Sequence, residues 1–106
     1  MERSTRLAWF RPAAEAAAAD SSGPIVDELA RHAEVEPFDE ARAHDFVWMR
    51  VRRPFDLVVF ELGDGPGSAF AWPYALHFPD LLYLRGATLG ARHAWAIRAA
   101  RMVVVD

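Results

Sequence analysis

Three absences narrow this 106-residue chain before any residue is placed. It has no cysteine, which excludes a disulfide scaffold and any thiolate metal site. It has no lysine, because all twelve basic residues are arginine. That excludes a P-loop, a Schiff-base lysine and a receiver-domain lysine, and leaves a surface of forked guanidinium groups suited to carboxylates or phosphates. No apolar run approaches the roughly 20 residues a membrane helix needs. The segment Met1 to Phe10 carries arginines but only a short apolar run, unlike a signal peptide, so the expected compartment is the cytoplasm. The formal net charge is only -3, which gives no electrostatic case for binding nucleic acid. The twenty alanines read as a coding bias rather than as chemistry.

What is present is one domain's worth of chain, 1–106, long enough for a single core. Four short apolar runs each fit a strand buried on both faces: Leu7–Phe10, Leu57–Phe60, Leu81–Leu84 and Met102–Val105. Segments with helical spacing lie between them, so the chain reads as βαβ units around a parallel sheet. Ala13 to Asp20 lacks a large apolar face and reads as a loop. Ser21-Ser22-Gly23-Pro24 signals a helix start, with Ile25, Val26, Leu29, Ala30 and Ala33 on one face and Asp27 and Glu28 in the first turn. Asp45 is placed to cap a helix from Phe46 to Arg53, which Pro54 stops. Ala91 to Arg101 is a further helical segment, with Ala91, Trp95 and Ala99 on one stripe.

Glu34-Val35-Glu36-Pro37-Phe38 alternates in polarity and contains a residue that cannot donate to a ladder, which places it at a sheet edge. The expected strands are therefore 7–10, 35–38, 57–62, 81–85 and 102–105. Right-handed crossovers then favour the order 2-1-3-4-5: an α/β, three-layer, Rossmann-like domain with a five-stranded parallel sheet. In that order the winding reverses between the first and third strands, and ligands of open α/β sheets bind beyond the carboxyl ends at this reversal. Loops 11–23 and 63–68 meet there.

Gly63-Asp64-Gly65-Pro66-Gly67-Ser68 follows the third strand, so its place and spacing depart from a dinucleotide fingerprint. It is a tight turn, a loop whose backbone can approach a ligand, or both, with Ser68 capping the next helix. His32, His44, His77 and His93 match no local metal-ligand spacing, and structural or surface roles suit all four. Glu28 and Glu36 stand eight apart, but one falls on a helix and the other on an edge strand, so they share no pocket. Glu61 sits in a strongly apolar strand near the expected cleft; it holds a ligand hydroxyl or pairs with Arg85, the latter being the better structural reading. There is no nucleophile elbow of the G-x-S-x-G type. The residues alone reach a ligand cleft and no reaction.

The run Arg53-Pro54-Phe55-Asp56-Leu57-Val58-Val59-Phe60-Glu61-Leu62-Gly63-Asp64, with Trp72-Pro73-Tyr74, His77-Phe78-Pro79 and Leu81–Leu84, resembles the N-terminal half of bacterial group 1 glycosyltransferases. Leu7–Phe10 and Ser22-Gly23 resemble the opening strand and first helix start of that half. The resemblance implies a GT-B architecture, two Rossmann-like domains facing a cleft, with retaining transfer and neither metal nor other cofactor. It implies that this chain is the acceptor-side half and that the nucleotide-sugar donor is held by a second domain for which 106 residues leave no room.

Candidate cleft contacts are Arg11, Ser22, Gly23, Gly63, Asp64, Gly65, Ser68, Trp72 and Arg85. Trp72 offers a wall for a sugar face, with core packing under the third helix the better reading. The sequence departs from the family where Ser68 and Ala69 replace a His-Asp pair, and where Arg85-Gly86 replaces a second one. No residue is therefore assigned a catalytic role, and an anionic acceptor read by Arg85 is one consequence. A non-catalytic α/β binding or assembly module derived from the same fold is the alternative. Self-association through the last apolar strand is expected of the isolated chain.

Overall fold

A computed structural model describes residues 5–11, 23–63, 66–84 and 94–105. The elements run β1 (Arg6–Phe10), α1 (Gly23–Ala30), β2 (Glu34–Phe38), α2 (Asp45–Arg52), β3 (Leu57–Leu62), a 3-10 turn (Pro66–Ser68), α3 (Ala71–His77), β4 (Leu81–Leu84), α4 (Ala94–Ala99) and β5 (Met102–Val105). All strand pairs are parallel and the sheet order is β2-β1-β3-β4-β5. The fold is α/β and Rossmann-like, with the proline-bearing strand outermost as expected. The described strands sit within one residue of the expected spans. The expected loop at 13–20 lies outside the described residues.

Local chemistry accounts for most boundaries. Arg53 ends α2 in an extended conformation (φ -149°, ψ 96°), which the following Pro54 demands, and its N–H still donates to the Met49 carbonyl. Pro73 is tolerated inside α3 because it falls in the first turn, where an N–H has no helical partner. Two expected caps do not form. Asp45 lies inside α2, after an N-cap at His44 that makes no side-chain bond. Ser68 does not cap α3, whose N-cap is Phe70. In both cases the preceding turn already has helical dihedrals, so the helix entry lacks the extended residue that a side-chain cap requires. Asp27 and Glu28 likewise fall one turn deeper into α1 than expected, because the helix already starts at Gly23. There Glu28 meets Arg31 at 3.6 Å and His32 at 3.1 Å.

The two faces of the sheet differ. On one, Ala8, Phe10, Val58, Phe60, Leu82 and Leu84 meet α2, α3 and α4 in a single buried cluster. Its centre is a row of rings across three strands: Phe10 is in register with Phe38 and Phe60, stacked at 5.3 and 4.7 Å. Phe46 of α2 packs edge-on against Phe10 at 5.1 Å. Offset and edge-on rings of this kind add roughly 0.5–1.5 kcal/mol per pair beyond area burial.

The other face, with Leu7, Trp9, Val59, Leu81 and Tyr83, carries α1 alone among the described helices. Between α1 and β5 lies an apolar groove of about 370 Å³, walled by Ile25 and Leu29 on one side and Val104 and Val105 on the other. Even the expected apolar face of α1 is half covered, since Ile25 and Ala30 are exposed.

The last strand overturns an expectation. Met102–Val105 reads as a strand buried on both faces, yet its residues are 37% to 68% exposed. An edge strand has one neighbour, and this one has little above it on the α1 side. On α4, Ala96 is the buried residue and Trp95 points to solvent. Ala91 lies outside the described residues.

Candidate functional site

The winding reverses between β1 and β3, so the cleft expected from topology opens beyond Phe10 and Leu62. Arg11 follows β1 directly; it is half-buried, and its backbone N–H donates to the Phe38 carbonyl at 2.9 Å. That bond ties the start of the first cleft loop to the neighbouring strand. Gly63 follows β3 directly and is half-buried. A residue without Cβ at this point lets the chain turn and lets a ligand approach the backbone. Ser68 is buried at the end of the 3-10 turn that follows. Trp72 is half-buried and packs against the core cluster, which agrees with its core reading. Gly23 opens α1, whose N-terminus lies on the carboxyl side of the sheet by topology. Ser22, Asp64, Gly65 and Arg85 lie outside the described residues.

Beneath the cleft, on the α1 face, is Glu61, which the sequence suggested pairs with Arg85 and which the fold brings to Trp9. The Glu61 carboxylate is 1% exposed and accepts a hydrogen bond from the Trp9 indole N–H at 2.9 Å. Tyr83 is in register with Glu61 on β4 and meets the Trp9 ring edge-on at 6.2 Å. The pairing with Arg85 falls outside the described residues; the partner seen is Trp9. Only the register of the two strands reveals this pairing. Trp9 lies opposite Val59, which puts Glu61 two residues along the same face, a diagonal neighbour. The bond from Trp9 to Glu61 ties the two central strands together in register.

The histidines scatter. His32 lies just past α1, His44 at the entry to α2 and His77 at the end of α3, all exposed. His93 is outside the described residues. Among the described residues, no group of His, Asp and Glu could hold a metal ion. Glu28 and Glu36 engage different partners, Glu36 meeting Arg42 at 3.0 Å.

A second feature missed in the sequence lies at the amino ends of the strands. Arg6 is buried, donates to the Arg53 carbonyl, stacks over the Phe55 ring at 4.4 Å and approaches Glu34 at 3.6 Å. Its backbone N–H donates to Asp56 at 2.7 Å. Nearby, Phe46, Phe55, Phe78 and Asp80 line a cavity of about 360 Å³. The Asp80 carboxylate there accepts from the Val58 N–H at 2.9 Å and lies 3.6 Å from Arg101. These contacts knit strand starts together. They stand at the amino ends of the strands, away from the expected cleft, and Arg6 Nε is buried there without a hydrogen bond, facing the Glu34 carboxylate at 3.6 Å.

No protein family, curated protein or solved structure matches the chain. Among the described residues no helix is long and apolar enough to cross a membrane.

Proposed function

We propose that this chain is the acceptor-side domain of a glycosyltransferase of GT-B architecture, acting with a second domain that binds the nucleotide sugar. The supporting observation is where the resembling segment falls. Arg53 to Leu84 spans β3, the glycine turn, α3 and β4, and the turn leaves β3 at the winding reversal beside Arg11. Arg11, the amides after Gly63 and the opening of α1 would then face the acceptor, with Ser22, Gly23, Asp64, Gly65, Ser68 and Arg85 as the remaining contacts and Trp72 given to the core.

Transfer from a nucleotide sugar must stabilise charge developing on a leaving diphosphate, which calls for positioned donors around both phosphates. In this reading those donors belong to the second domain. Calorimetric titration with a panel of nucleotide sugars, followed by a product assay, tests it. The expected result for the 106-residue chain alone is neither tight binding nor turnover. Turnover by this chain alone would overturn the split reading. A continuing reading frame that encodes a nucleotide-sugar domain would support it.

A second reading, a non-catalytic assembly module, is favoured by one observation: the exposed apolar strand β5. A stop codon after Asp106 would select it.

A further inference from the structure

We propose that β5 is a self-association edge, pairing antiparallel with β5 of a second copy of this chain about a two-fold axis at Val104. The inference is independent of the glycosyltransferase reading.

The backbone defines the edge. The Met102 N–H faces the Asp80 carbonyl at 3.4 Å and Met102 is in register with Leu81, so Met102 and Val104 turn their peptide groups towards β4. Val103 and Val105 therefore turn theirs outward. Among the described residues β5 pairs with β4 alone. An uncovered row of N–H and C=O groups on an apolar, β-branched strand is a template for another strand.

A second copy of β5 fits this edge in one favourable register. With Val104 opposite the second copy's Val104, Val103 exchanges bonds with the second copy's Val105, and Val105 with its Val103. Every outward peptide group of the strand is then paired. A two-fold contact needs only a surface that complements itself, and a strand of Met and Val does so.

The flanking surface extends the contact. On α4, Ala94 and Ile97 are half-buried, whereas Trp95 and Ala99 on the opposite flank are exposed. α4 therefore buries Ala96 and leaves the Trp95 flank to solvent. On the α1 face, Val104 and Tyr83 continue the groove to the same seam. A four-residue strand and the adjoining groove wall make a small contact, at the low end of specific interfaces, which bury about 1,200 Å² or more in total. So small a contact supports a weak dimer, with a dissociation constant of about 1 µM or more.

Sedimentation and light scattering from about 1 µM to about 1 mM test this, bracketing that affinity. The expected result is a monomer at the lowest concentration and a dimer at the highest. V103P removes an outward N–H that β4 does not use, so it should stay monomeric throughout while keeping the wild-type circular dichroism. Val104→Lys, which sets two like charges face to face, should do the same and serves if V103P misfolds. In this cysteine-free chain, V104C should oxidise to a covalent dimer because the two thiols face each other across the axis. A wild-type chain that stays monomeric throughout overturns the proposal. So does a dimer that survives whichever of the V103P and Val104→Lys chains fold.

Discussion

The sheet has two edges, and they are built on opposite plans. At β2, Glu34 and Glu36 alternate along the strand and Pro37 interrupts it. The Glu34 N–H donates inward to Thr5 and the Phe38 carbonyl accepts from Arg11, so Val35 and Pro37 face outward. Pro37 has no N–H to offer, and its carbonyl is taken by the Arg42 guanidinium at 2.8 Å. Arg42 also holds Glu36 at 3.0 Å, while Arg53 holds Glu34 at 3.0 Å. At β5 there is no charge and no proline, only Met102-Val103-Val104-Val105. One edge is closed by its own residues. The other carries only what would suit a neighbour. Edge protection is thus a property of each strand's chemistry rather than of the sheet.

The largest effect separates what the two edges bury. Phe38 is the residue through which β2 enters the core, fully buried and ringed by Phe10, Phe46 and Phe55. Phe38→Ala should cost about 3–5 kcal/mol, the range for truncating a buried aromatic. Val103→Ala on β5 should cost under about 1 kcal/mol, because an exposed strand residue loses little burial. Chemical denaturation at a concentration where the chain is monomeric measures both. Equal losses would mean that β5 is as embedded as β2 and that the contrast is false.

Next in size is stripping the guard from β2. Replacing Glu36 and Pro37 together by valine restores an outward N–H and removes the Glu36 partner of Arg42. The fold should lose only about 1 kcal/mol, since both positions are at least partly solvent-facing. Association should change more. Two open edges per copy permit end-to-end chains rather than a closed pair. Light scattering should therefore show species growing beyond the dimer with concentration. A variant that behaves as wild type would show that the proline and glutamate are not what closes this edge.

The same contrast shows what was legible in the sequence. The position of β2 could be read because Pro37 and two glutamates are local marks that only an edge tolerates. The end of α2 could be read because Pro54 forbids its continuation. The burial of β5 could not, because Met102–Val105 has the same run of apolar residues as Leu57–Phe60, and apolar runs count residues rather than neighbours. The strand order, expected as 2-1-3-4-5, is what separates them: it puts Leu57–Phe60 in the central strand and Met102–Val105 at the rim. For the site, Arg11 and Gly63 were legible as the first residues after two strands at a reversal. The Glu61 bond to Trp9 required the register between β1 and β3, and the burial of Arg6 required the fold of Arg53 and Phe55 around it. Both depend on contacts about fifty residues apart in sequence, an order of separation that propensity and periodicity do not reach.

The smallest effect distinguishes the two kinds of guard on β2. Pro37 acts by lacking a donor, which salt cannot alter. The Arg53 pair with Glu34 acts by charge: the arginine side chain is 62% exposed and the glutamate 47%. An exposed pair of this kind contributes about 0.2–1 kcal/mol in dilute salt. At 1 M salt the screening length falls to about 3 Å, so the contribution should nearly vanish. Arg53→Gln should therefore lower stability slightly in dilute buffer and hardly at all in 1 M salt. The backbone carbonyl of residue 53 still accepts from Arg6 in this variant, so the buried guanidinium keeps that bond and its approach to Glu34. Denaturant midpoints of wild type and variant, compared at both salt concentrations, read the difference directly. A deficit that persists undiminished in 1 M salt would mean that Arg53 stabilises β2 through packing of its stem, and that the edge is closed by shape more than by charge.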